Sequence, residues 1–167
     1  MGAIVEEVKI WNSPTIGAFL LWHFTKGYVQ HHKAGEAPGG LLHFLAAAIL
    51  TNPALSETIS KRRANLQSYV RGFEDKRLFD QLLSIHDRTK EKKAFTLASL
   101  DIAISQGLLL WNAETGRVHC KELGKKPRRG NNIKPSMKRQ GEKAELLGQW
   151  FSEHDLPAIA RYLKVVF

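Results

Sequence analysis

Two stretches of this chain are too apolar to lie on a protein surface and too short to cross a bilayer. Residues 16–22 and 41–50 fall well below the roughly 20 apolar residues a membrane helix needs. Read as helices, both carry apolar side chains on more than one face. A helix of that kind is buried on several sides. Other elements must therefore wrap around two central helices, which predicts a mainly α fold. A chain of 167 residues can build such a core, because about two-thirds of the unfolded surface is buried at this size. A hydrophobic content of 43% excludes a disordered chain.

Local signals place the other elements. Asn12-Ser13-Pro14 reads as a helix start, with Ser13 able to cap and Pro14 at the first helical position. That helix is expected to stop near Gly27. Asn52-Pro53 breaks the chain after the second apolar helix, and short helices are expected over 54–62 and 64–73. A longer helix starts near Asp75. Residues 90–106 form another, with Leu97, Leu100, Ile104 and Leu108 as its apolar stripe and Gly107 as its stop. Residues 108–112 and 117–122 read as strands around Ala113-Glu114-Thr115-Gly116. Helices over 142–153 and 155–165 close the chain, the last capped by Asp155. The organisation expected is a helical unit over 1–123, a basic linker over 124–141, and a helical pair over 142–167 on the same core. Helices followed by helix–Gly–strand–turn–strand is the order of a winged-helix module, so the hairpin is winged-helix-like.

Charge is concentrated in one place. Between Arg117 and Arg139 lie nine basic residues, namely Arg117, Lys121, Lys125, Lys126, Arg128, Arg129, Lys134, Lys138 and Arg139, against the single acid Glu122. Nine minus one leaves +8 of the chain's formal +9. Such a block attracts a polyanion or an acidic protein face. These nine residues are the candidate nucleic-acid contacts. The arm has no aromatic residue for stacking on single strands, so its contact would be to backbone, salt-dependent and blind to sequence.

Catalytic signatures are missing: no phosphate loop, no nucleophile elbow, no His-Glu-x-x-His pair. The seven histidines do not assemble into four convergent ligands. His31 and His32 are adjacent, and His119 neighbours Cys120 on a strand, where side chains alternate. The expectation is therefore no enzyme, no metal and no cofactor. The tryptophans Trp11, Trp22, Trp111 and Trp150 read as packing residues. Cys120 is the only cysteine, so no internal disulfide forms, in keeping with a cytoplasmic location. Residues 1–9 carry acids and no signal-peptide pattern.

Three stretches carry more than composition. Residues 11–28 read Trp-Asn-Ser-Pro-Thr-Ile-Gly-Ala-Phe-Leu-Leu-Trp-His-Phe-Thr-Lys-Gly-Tyr. Near the end come Gly148-Gln149-Trp150-Phe151-Ser152-Glu153 and Leu156-Pro157-Ala158-Ile159-Ala160-Arg161-Tyr162-Leu163-Lys164-Val165. Between them, Gln106-Gly107-Leu108-Leu109 leads into the hairpin. In this order they resemble the middle component of three-component ABC ATPase systems, which include the small subunit of Lamassu-type bacterial defence complexes. The chain departs from that pattern in its second helix, at Leu45-Ala46-Ala47-Ala48-Ile49-Leu50 and Thr51-Asn52-Pro53. The resemblance implies a non-catalytic adaptor. Its partners would be an SMC-like ABC ATPase, an effector that is often a nuclease, and double-stranded DNA reached through the complex. Its role would be to limit phage or plasmid spread. The alternative is a free-standing winged-helix DNA-binding regulator. Its reading helix, 95–106, has no Arg, Lys or Asn, which is poor equipment for base readout.

Overall fold

The computed structural model describes residues 12–121 and 134–167. They form eight helices and one two-stranded antiparallel hairpin, the mainly α architecture expected. Helix α1 (Pro14–His31) is the axis. The last long helix, α7 (Pro135–Ser152), lies along it on one side and α6 (Lys93–Ser105) on another. Helix α2 (Gly40–Leu50) is buried almost all round, and Leu45, Ala46, Ala48, Ile49 and Leu50 expose nothing to solvent. Both apolar stretches are thus interior helices.

The central helix continues past Gly27 to His31. Gly27 is a contact rather than a stop. A methyl group there would run into the Glu145 carbonyl of α7, and one on Gly148 would strike the Phe24 carbonyl of α1. Two glycines let the two backbones approach each other directly. The same logic corrects the register of α6. The stripe expected inside leaves Leu97 at 50% exposure and Ile104 at 36%, while Thr96, Ser99, Leu100 and Ala103 are buried. Gly17 of α1 sits against Ser99. Helices that approach this closely need small residues at the contact, so Leu97 and Ile104 turn outward.

Beyond α2, Asn52 caps the short α3 (Pro53–Ser56) by accepting from the Ala54 N–H. The helix expected over 54–62 is only this one turn, although Ile59 behind it is buried. Helix α4 (Leu66–Asp75) starts with a reciprocal cap between Asn65 and Ser68. It closes with Arg77 in the left-handed region at φ 55° and the Leu78 N–H bonded to the Phe73 carbonyl. That closure delays α5 to Phe79–Glu91. Gly107, at φ 73°, ends α6 the same way, with Leu108 bonded back to Ala103, as the sequence predicts.

Strands β1 (Leu109–Asn112) and β2 (Arg117–Cys120) pair with Leu109 opposite Cys120 and Asn112 opposite Arg117. Gly116 takes the left-handed position of the turn at φ 66°. Glu122, the expected end of the second strand, lies outside the described residues. Helix α7 begins at Pro135, not near Glu142, so Lys134 to Gly141 belong to a helix start rather than to a linker. Pro135 fits the first turn, and Gly141 is a packing position against the His23 ring. Asp155 caps α8 (Leu156–Tyr162) through the Ala158 N–H, as expected. Trp150 and Phe151 of α7 complete the core. Phe151 meets Phe24 edge-on at 5.5 Å, and Trp150 lies 5.5 Å from the Tyr69 ring.

Candidate interaction surface

The nine basic residues do not share one fate. Arg117 is engaged inside the protein: its guanidinium donates to the Ala37 carbonyl at 2.6 Å and pairs with Glu36 at 3.0 Å. With the Gly40 N–H to Gly116 carbonyl and Val118 N–H to Pro38 carbonyl bonds, it straps the hairpin onto the loop before α2. Lys121 is exposed at the end of β2. Lys125, Lys126, Arg128 and Arg129 lie outside the described residues. Lys134, Lys138 and Arg139 are exposed at the start of α7.

Arg139 faces a groove of about 360 Å³ between α7 and the turn after α3, lined by Ile59, Ser60, Lys61, Arg139, Glu142, Lys143 and Leu146. Lys61 and Lys143 carry no local sequence signal that marks them as site residues. The Arg139–Lys143 pair has i, i+4 spacing, which places both on one helical face. That signal becomes usable only once the helix is known to start before Arg139.

A larger cleft, about 780 Å³, opens between the end of α1, the start of α2, the hairpin turn and the α7–α8 corner. Leu41 at 49% exposure and Trp111 at 45% stand at its edge. The Trp111 ring lies across Gly40, where a methyl group would collide with it. Tyr28 stacks on His32 at 5.4 Å and 13°. Burial raises the Tyr28 hydroxyl above its ordinary range, with Arg117 opposing and Glu36 adding to the shift. The cleft is a mixed aromatic and polar surface of the kind that docks side chains. Among the described residues no group of three or more His, Cys, Asp or Glu is placed to hold a metal.

Two polar clusters tie the helices behind these surfaces. Glu145 of α7 bonds His23 at 2.8 Å and Lys26 at 2.9 Å, both on α1. Burial alone would raise the Glu145 carboxyl, but its bonds to Lys26 and His23 hold it below its ordinary value. His43 is completely buried and reaches Thr25 at 2.8 Å and the Gly39 carbonyl at 3.3 Å. Burial pulls its imidazole down to about 4, against the backbone hydrogen bonds at Gly39 and Gly40. His43 is a neutral internal staple from α1 to the start of α2.

The described residues thus form a buried helical scaffold that leaves a cleft and a groove open at the surface. The chain belongs to the family of ABC-three component (ABC-3C) system Middle Component 3, whose model matches residues 1–167. No match is found among curated proteins or among solved structures. Among the described residues, no helix is long and apolar enough to cross a membrane.

Proposed function

We propose that this chain is a non-catalytic adaptor in a cytoplasmic three-component defence complex. It joins the heads of an SMC-like ABC ATPase to an effector, a nuclease of the kind found in Lamassu-type systems, and acts against phage and plasmids. The observation that carries the reading is the family match over the whole chain. The outward face of α6 adds support. There Leu97, Asp101, Ile104 and Ser105 are exposed, an apolar and acidic surface suited to a protein partner. The same face weighs against the free-standing regulator, because past Lys93 the helix before the hairpin offers no Arg, Lys or Asn to a major groove.

Within the complex, the basic residues around the start of α7 and the preceding segment hold duplex DNA by its backbone, without sequence preference. Co-expression of the chain with its two companion genes, followed by affinity purification on this subunit, tests the adaptor role. Stable recovery of the ATPase is expected, and recovery of this chain alone would reject it. A sequence-specific footprint from the isolated chain would instead establish the regulator.

A further inference from the structure

We infer that the groove between the turn at 59–61 and the first half of α7 is a seat for the phosphodiester backbone of duplex DNA, gripped by Lys61, Arg139 and Lys143. The inference rests on the nucleic-acid reading above and assigns it to residues remote from one another in sequence. Lys61 stands on one wall and Arg139 and Lys143 on the other, so three cations converge on one groove from two elements. Glu142 is the one acid in that lining, which leaves a net charge of three minus one, or +2. Ser60 supplies a neutral donor in the same wall.

Two further observations point to an anionic occupant. Burial pulls the Lys143 ammonium below the usual lysine range, Glu57 opposes that shift and Arg139 adds to it. A half-buried cation beside a second cation is stabilised when an anion arrives. More positive charge lies close by: Arg62 is exposed beside Lys61, and Lys134 and Lys138 are exposed on a neighbouring face of the same helix. At 1.5 Å per residue, Arg139 to Lys143 span about 6 Å. With one phosphate per roughly 3.4 Å of axis on each strand, that pair covers about two phosphates, and Lys61 on the facing wall supplies the third contact. Arg117, by contrast, is strapped to Glu36 and Ala37, so the DNA-facing surface lies on α7 and the 59–61 turn rather than on the hairpin.

The test is fluorescence anisotropy with a labelled mixed-sequence 30-base-pair duplex and the purified full chain, titrated from 50 to 200 mM salt. The variants are Lys61→Gln/Arg139→Gln/Lys143→Gln and, separately, Lys125→Gln/Lys126→Gln/Arg128→Gln/Arg129→Gln. The groove variant is expected to bind about 10- to 100-fold more weakly and to flatten the log–log salt slope by roughly 2 to 3, at about 0.9 per lost phosphate contact. Circular dichroism should match wild type, because Lys61 and Arg139 are exposed. The single variant Lys61→Gln, remote from α7 in sequence, should alone lower the slope by about 1. Full-strength binding by the groove variant, with loss in the 125–129 variant, would overturn the groove and keep the nucleic-acid reading. Wild-type protein that ignores the duplex but binds a polyglutamate peptide would overturn both, and assign the positive charge to an acidic protein.

Discussion

The α1–α7 contact and the outer surface of α6 with the hairpin use the same residue types in opposite ways. In the first, Gly27 and Gly148 bring two backbones together, and Phe24, Trp150 and Phe151 are sealed from solvent. In the second, Leu97, Ile104, Leu110 and Trp111 stand 36 to 50% exposed. On α6 the small residues Thr96, Ser99 and Ala103 face inward beside Leu100, while Leu97 and Ile104 turn outward. The contrast separates the two demands on the sequence. The glycine seam holds the fold together, whereas the exposed aliphatic and aromatic side chains stabilise little within this chain and are available to another.

The sharpest way to break the comparison is at the seam. Gly148→Ala forces a methyl group into the Phe24 carbonyl, and backbone cannot step aside as a side chain can. Destabilisation of about 3 kcal/mol is expected, the upper end for overpacking, seen as a fall in melting temperature of roughly 10 °C. A variant melting like wild type would show that the helices do not meet there.

The buried staple gives a comparable effect through pH. The His43 imidazole is held at about 4 when folded, below about 6.5 when unfolded. The unfolded chain therefore binds the extra proton between those values. The stability due to neutral His43 is complete above about 6.5 and falls away as pH drops toward 4, by about 3 kcal/mol. Urea titrations across that window should show a loss in wild type that is much smaller in His43→Gln, where His23, also lowered by burial, still contributes. Parallel curves for the two proteins would refute the buried staple.

On the outer surface the expectation reverses. Leu97→Asp with Ile104→Asp should change stability by under about 1 kcal/mol, yet remove the ATPase from the affinity-purified complex. If the double variant instead melts as early as Gly148→Ala, that face belongs to the core and the contrast fails. The smallest effect lies away from both regions. Arg77→Gly relieves a left-handed backbone at the end of α4 and should raise stability by about 0.5 to 1 kcal/mol, measurable as a higher denaturant midpoint.

Much of this architecture is legible in the chain. All-round apolarity marks α1 and α2 as interior, Gly107 marks the end of α6, Asp155 marks a cap, and Gly116 marks the hairpin turn. The failures share one physical cause. Gly27 and Gly141 look like breaks in a single sequence, because a glycine that stops a helix and one that admits a neighbouring helix carry the same local signal. For that reason α1 ended early and α7 started late in the sequence reading. Of the α6 stripe, Leu100 and Leu108 pack on the core but Leu97 and Ile104 turn outward, because Gly17 on another helix takes the contact at Ser99. The candidate site was half visible: a charge block marks Arg139, but nothing local marks Lys61, which reaches the same groove only through the fold.

Trp111 has an optical consequence. Its ring stands 45% exposed at the cleft, whereas Trp150 is sealed in the core. In a Trp11→Phe/Trp22→Phe background, solvent-relaxed red emission from Trp111 should overlie bluer light from Trp150, giving a gauge and an internal reference in one protein. A partner that dries the cleft edge will shift the red component and leave the blue one in place, reporting assembly of the complex without a label.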